Sequence, residues 1–143
     1  MEALQGLKVI ELGQFVAGPF AAKTLADFGA DVIKVEAAGA GDGLRKWRIV
    51  QDGTSLWWEI QSRNKRSGCL DLKSPEDRDV VLALAKEADV VIENFKPGTL
   101  EKWGLGWDQL HAINPKLVML RISGFGQTGP YKDKPGFGVL GES

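Results

Sequence analysis

"LKVIELGQFVAGPFAAKTLADFGADVIKVE", residues 7–36, decides the fold. Its first six residues (7–12) and its last six (31–36) are short apolar runs rich in valine and isoleucine, and each reads as a buried strand. Between them Ala21, Leu25 and Phe28 fall four and three residues apart, the spacing of one helix face. Pro19 suits a first helical turn, and Gly29 suits the residue after the last. A strand, a helix and a second strand this close in sequence form a parallel pair joined by a right-handed crossover.

The same alternation continues along the chain. Residues 37–66 read as irregular and glycine-rich, and they hold Trp47, Trp57 and Trp58, three of the five tryptophans. "SGCLDL" (67–72) reads as another strand. "SPED" (74–77) starts a helix: Ser74 as cap, Pro75 at the first position, an acid three residues past the cap. That helix runs to about Glu87 with Val81, Leu84, Ala85 and Ala88 on one face. "DVVIENF" (89–95) is a strand; "GTLEKWG" (98–104) and "WDQLHAIN" (107–114) are short helical pieces; "KLVMLRIS" (116–123) is the last strand. The expected fold class is α/β, a Rossmann-like open, mostly parallel sheet with flanking helices. In such sheets ligands bind beyond the carboxyl ends of the strands. Those ends are 13–17, Glu36, 71–73, 93–95 and 123–126.

Composition narrows the function classes. The chain has 143 residues, one domain's worth, and a net charge of -1, which gives no reason to expect nucleic acid or an acidic membrane surface as partner. Cys69 is the single cysteine, so no internal disulfide forms, in keeping with a cytoplasmic location. No secretory leader and no apolar run of membrane-spanning length stand out. One histidine and one cysteine exclude the usual zinc ligand sets, so no metal is expected. His111 sits in a short helix away from the strand ends, where a structural role outweighs a catalytic one. The residues after Gly136 read as the start of a further element cut short, which marks the chain as a fragment.

Two glycine stretches invite a dinucleotide. "GFGQTG" (124–129) fits G-x-G-x-x-G, but it runs into Pro130, Pro135 and Gly136, which oppose the helix that must follow such a fingerprint. Gly13 follows the first strand and Glu36 ends the second, where an acid can hold an adenine ribose. However, "GQFVAGP" places Phe15 and Val16 where the backbone would have to approach phosphate. The free amides at the start of the helix still suit an anionic or polar ligand. Asn94 and Phe95 end a strand as an amide and a stacking ring; the alternative is that Asn94 caps the turn at Lys96-Pro97-Gly98. The tryptophans floor an acyl pocket or fill the core. A basic set, Lys65, Arg66, Lys73, Lys96 and Lys102, either neutralises phosphates or forms a solvated face.

The blocks "LQGLKVIELGQFVAGP", "FGADVIKVE", "GDGLRKW", "NKRSGCLDLK", "DVVIENFKPGTLEKWGL" and "INPKLVMLRISGFGQTGPYKDKPGFG", in this order over essentially the whole chain, resemble the class III CoA-transferases, the formyl-CoA transferase and carnitine CoA-transferase (CaiB/BaiF) type. The resemblance implies that residues 1–143 are the N-terminal part of a CoA-binding, Rossmann-like large domain, with a second domain and the catalytic segment elsewhere. It implies coenzyme A or acyl-CoA as substrate, with no prosthetic group, and a small carboxylic acid as the other substrate. The full-length protein would be a homodimer. CoA contacts carried over by position fall on Phe15, Val16, Ala17, Leu70, Lys73, Asn94, Phe95, Lys102 and Trp103. The substrate pocket falls on Gln14, Trp47, Gly124, Gly126 and Phe137. The family often has an arginine after the glutamate of the second strand and another where Lys102 stands; here Ala37 and Lys102 depart from that pattern.

The mechanism that the resemblance implies is covalent. An aspartate attacks the donor thioester, giving a mixed anhydride and CoA thiolate; through an aspartyl-CoA or anhydride intermediate the acceptor carboxylate then displaces the donor's acyl group as its free acid, and thiolate attack regenerates a thioester and the aspartate. That aspartate is expected beyond Ser143, so no catalytic residue is assigned here and the chain alone is expected to be inactive. Related racemases carry a histidine after Gly136, where Phe137 stands, which favours transferase chemistry. Two other readings stay open: a NAD-dependent oxidoreductase domain, and a non-catalytic CoA-binding or assembly subunit.

Overall fold

The computed structural model describes residues 2–137. The stretch 138–143, the rest of the segment that the sequence marks as a new element, lies outside the described residues. Five parallel strands form the main sheet: β1 (Lys8–Glu11), β2 (Asp31–Ala37), β5 (Lys65–Leu70), β6 (Val90–Glu93) and β7 (Val118–Arg121), in the order β5-β2-β1-β6-β7. The chain winds outward from β1 in one direction, then returns to β1 and winds outward in the other. The topological switch point therefore lies between β1 and β6.

Strand alternation builds the two cores. Val9, Val32 and Ile92 face helix α1 (Ala17–Asp27), where Ala22 and Ala26 are fully covered. Ile10, Leu12, Val35 and Val91 face the opposite layer, met by Val81 and Ala85 of α3 (Pro75–Ala85), Leu100 of α4 (Thr99–Lys102) and Leu110 of α5 (Trp107–Ile113). Helices on both faces of a parallel sheet bury both sets of side chains, which is why these strands read as near-continuous apolar runs. On α1 the buried face is one residue off the expected one. Gly18, Ala22 and Ala26 meet the sheet, Ala21 and Leu25 flank it, and Phe28 is 57% exposed. Small residues let the helix lie close to the strands.

The stretch expected to be irregular is partly ordered. A 3-10 turn (Gly43–Lys46) is capped by Asp42, whose carboxylate accepts from Leu44 N–H. Next comes a short antiparallel hairpin, β3 (Val50–Gln51) with β4 (Thr54–Ser55), turning on Asp52 and Gly53, both at positive φ. Asp-Gly at a two-residue turn is a hairpin signal. Helix α2 (Leu56–Gln61) follows directly, capped by Ser55 Oγ on Trp57 N–H at 3.2 Å. Strand β5 begins two residues earlier than expected and forms one sheet edge; β7 forms the other.

Candidate functional site

The loop after β1 (13–16) is held from below by a buried charge network. Opposite charges stand on neighbouring strands at paired positions, Glu11 against Lys34. Lys34 Nζ reaches Glu11 Oε1 at 2.7 Å, Asp42 Oδ2 at 2.8 Å and the Gly13 carbonyl at 2.9 Å. Lys65 Nζ reaches Glu11 Oε2 at 2.6 Å and the Pro19 carbonyl at 2.8 Å. Burial pushes the Lys65 ammonium below its usual range, and Glu11 works against that shift. Asp42 Oδ1 accepts from Phe15 N–H at 3.0 Å, which fixes Phe15 at φ 60°. Every charge in this set has an opposite partner, and Lys34, Lys65 and Asp42 make further hydrogen bonds to the backbone, the condition under which burying charge is tolerable.

From above, the loop is tied to β6. Asn94 Oδ1 accepts from Gln14 N–H at 2.7 Å, and Asn94 Nδ2 donates to the Gln14 carbonyl at 2.9 Å. So Asn94 does not cap the turn that follows it; it staples the first loop across the switch point. The two glycines beside it have no room for side chains. A Cβ on Gly13 would stand 2.7 Å from Asn94 Oδ1, and one on Gly18 would stand 3.0 Å from the Gly13 Cα.

Two hollows open along the carboxyl ends of the strands, and both are lined by Phe95. The larger, about 370 Å³, spans the ends of β1, β2, β5 and β6, with Gln14, Ala37, Leu70, Lys73, Phe95 and Trp103 on its walls. The smaller, about 230 Å³, includes Asn94, Phe95, Ser123, Gly124, Lys134 and Phe137. Phe95 and Trp103 meet edge to face, with ring centres 5.3 Å apart. Below them Glu93 accepts from Phe95 N–H at 2.7 Å and from Arg121 Nε at 2.8 Å, which fixes the start of the β6 loop.

The expected site residues thus divide. Gln14, Leu70, Lys73, Phe95 and Trp103 come together at one hollow, and Asn94, Gly124 and Phe137 at the other. Val16 and Ala17 lie at the start of α1. Phe15 is 46% exposed and lies edge-on to Trp47, with ring centres 6.2 Å apart. Lys102 ends α4 and Gly126 sits at φ 78°; Phe15, Trp47, Lys102 and Gly126 line neither hollow. Of the five tryptophans only Trp58 is buried. His111 is exposed and stacks on Trp107, remote from the strand ends. Sequence reasoning missed Glu11, Lys34 and Asp42; Lys65, expected to neutralise phosphate or to lie on a solvated face, is instead buried against Glu11 and does neither. Part of the signal was present: a charge inside each of two largely apolar strands, Glu11 on β1 facing Lys34 of opposite sign on β2.

Neither dinucleotide feature survives the geometry. Residues 124–129 lead into turns, and no helix follows them among the described residues. Glu36 has no free oxygen for a ribose. Arg45 forks onto it at 2.7 and 2.8 Å, Asp42 N–H donates at 2.9 Å, and Ser67 Oγ also donates. Burial alone would raise the Glu36 carboxyl; Arg45, Ser67 and the Asp42 amide outweigh it and hold it at about 2.

The chain matches known proteins along nearly its whole length. The family model for CoA-transferase family III matches residues 4–143. The chain is 57% identical over 98% of its length to succinyl-CoA–D-citramalate CoA-transferase of Chloroflexus aurantiacus, covering 35% of that protein. It is 49% identical over 96% of its length to succinate–glutarate CoA-transferase of Agrobacterium fabrum, covering 36% of it. A crystal structure of a CaiB/BaiF family protein from Brucella suis superimposes with a TM-score of 0.91 at 46% identity, over 97% of this chain and 38% of that one. A short-chain dehydrogenase/reductase family protein, 15% identical at a TM-score of 0.56 and covered over 63% of its length, shares the fold alone. The chain thus spans about a third of the length of the curated relatives it matches. With a family match over nearly every residue, the chain belongs to CoA-transferase family III.

Proposed function

We propose that this chain forms the CoA-gripping part of an acyl-CoA:carboxylate CoA-transferase, with coenzyme A or its thioester bound as substrate. The observation that carries the reading is the pair of hollows meeting at Phe95 across the switch point. A thioester of CoA is long, with an adenylate at one end and a narrow acyl arm at the other. A larger and a smaller hollow in series suit such a ligand. In this reading Phe95 and Trp103 offer stacking faces, and Lys73 neutralises phosphate as a point charge. Leu70 contributes apolar wall. Phe15, Val16 and Ala17 supply the loop and the open amides at the start of α1. Asn94 acts by fixing that loop, and Lys102 lends charge from the rim. Gln14, Trp47, Gly124, Gly126 and Phe137 border the acyl end.

The attacking carboxylate is proposed to come from a part of the enzyme outside this chain, as is the second domain. The whole enzyme is proposed to be a cytoplasmic homodimer that passes CoA to a small carboxylic acid. Family membership and the transferase names of the relatives support the chemistry. The NAD-dependent reading is not favoured, because Glu36 is consumed by Arg45. Calorimetric titration of the protein with CoA and, separately, with NADH tests this. Saturable CoA binding that Phe95→Ala weakens by about tenfold, of the order expected for losing one base or arm contact, is the expected outcome. Saturable NADH binding without CoA binding would overturn it.

A further inference from the structure

The stretch "GDGLRKW" (41–47) is one of the blocks that carry the family resemblance, yet only its last residue, Trp47, has a place in the proposed site. Asp42, its second residue, is buried and touches two walls of the larger hollow. Its N–H donates to Glu36 Oε2 at 2.9 Å, at the end of β2, and its Oδ1 accepts from Phe15 N–H at 3.0 Å, on the β1 loop. Glu36 and Gln14 both line that hollow. The Phe15 N–H shares a peptide unit with the Gln14 carbonyl, and Asn94 Nδ2 donates to that carbonyl at 2.9 Å. The preceding peptide unit is held in the same way. Lys34 Nζ donates to the Gly13 carbonyl at 2.9 Å, and Gln14 N–H donates to Asn94 Oδ1 at 2.7 Å. The two peptide units that flank Gln14 are thus each gripped at both ends, by Asn94 on one side and by the Lys34–Asp42 ion pair on the other.

This grip opposes the chain's own preference. Phe15 at φ 60° is left-handed, a conformation disfavoured for any residue with a Cβ. Turning the Gln14–Phe15 peptide over would return Phe15 to negative φ, break both hydrogen bonds of that peptide and carry Gln14 with it. Gly43 restrains the same residue from its other end: the Phe15 ring lies so close above it that a Cβ there would overlap the ring. The two oxygens of Asp42 divide the labour. Oδ2, 2.8 Å from Lys34 Nζ, balances a buried charge, whereas Oδ1 holds the loop and also accepts from Leu44 N–H. We infer that Asp42 is a positioning residue of the CoA site: without lining the hollow itself, it holds the Gln14–Phe15 peptide against its strain, and so sets Gln14 and the start of α1 in the form that the ligand meets. This rests on the CoA-transfer reading above.

The test uses the whole enzyme and compares two charge-balanced pairs of substitutions. Lys34→Met with Asp42→Leu, and Lys34→Met with Asp42→Asn, remove the same two charges and leave Glu11 paired with Lys65. Asparagine keeps an oxygen for the Phe15 N–H; leucine does not. Calorimetric titration with CoA should find the leucine pair at least about tenfold weaker than the asparagine pair, the scale of holding one such residue left-handed. Adding Phe15→Gly to both should shrink the gap to within about threefold, because glycine takes positive φ unaided. A role in folding alone would not respond to that change. Equal affinities in the two pairs, or a gap that persists with glycine, would overturn the inference and leave the CoA reading intact. If a urea melt shows the leucine pair unfolded, Gly43→Ala decides with every charge in place: it should displace the Phe15 ring and weaken CoA by a similar factor, and unchanged affinity would overturn the inference. A parent enzyme without saturable CoA binding would overturn the CoA reading, and this inference with it.

Discussion

Glu36 shows how one residue ties the fold to pH. Its carboxyl sits at about 2 against an ordinary 4.5, because Arg45, Ser67 and the Asp42 amide outweigh burial. The folded-state value is depressed, so the stabilisation is complete above about pH 4.5 and is lost as pH falls toward 2. It amounts to at most about 3 kcal/mol. Glu36→Gln should therefore lower stability by about 2–3 kcal/mol at neutral pH, and the gap to the parent should close between pH 4.5 and 2, as read from urea midpoints across that range. A constant gap would mean that packing, not ionisation, sets the cost. Lys34 makes the complementary case. Replacing it with methionine leaves Glu11 and Asp42 short of a cation in a buried setting, and should cost about 3–5 kcal/mol in a thermal or urea melt.

At the scale of elements, the sequence is most legible where a periodic pattern meets a cap. Strands β1, β2 and β6 and helix α3 lie where apolar runs and the Ser74-Pro75 start place them. The hairpin and α2 were overlooked although Asp52-Gly53 and Ser55 mark them, because each element is only a few residues long and its apolar faces, Ile49, Val50 and Ile60, are exposed. Periodicity reports burial, so it is silent there. The ring of strand ends around the site was legible from topology alone. The staple formed by Asn94 was not, since it joins residues 80 positions apart. The loop between Gly124 and Gly136 is pinched at its neck, where the two glycine backbones approach so closely that neither tolerates a Cβ. Gly124→Ala should thus open the smaller hollow, leaving the melt within about 1–2 kcal/mol of the parent while weakening CoA in the titration described above. Unchanged affinity would remove that hollow from the ligand's path.

The whole molecule grades from a closed centre to open margins. β1 and β6 are paired on both sides, whereas β5 and β7 are the two edges, with Val118 60% exposed. Amide hydrogen exchange should accordingly be slowest at Val9, Ile10, Val91 and Ile92, and fastest in residues 50–55 and 124–136. Uniform protection would contradict the grading. The centre owes much of its order to the staple between Gln14 and Asn94, which spans the seam where the two halves of the winding meet. A cleft fastened at that seam keeps its two walls in fixed register, so a guest lodged there would meet groups already in place.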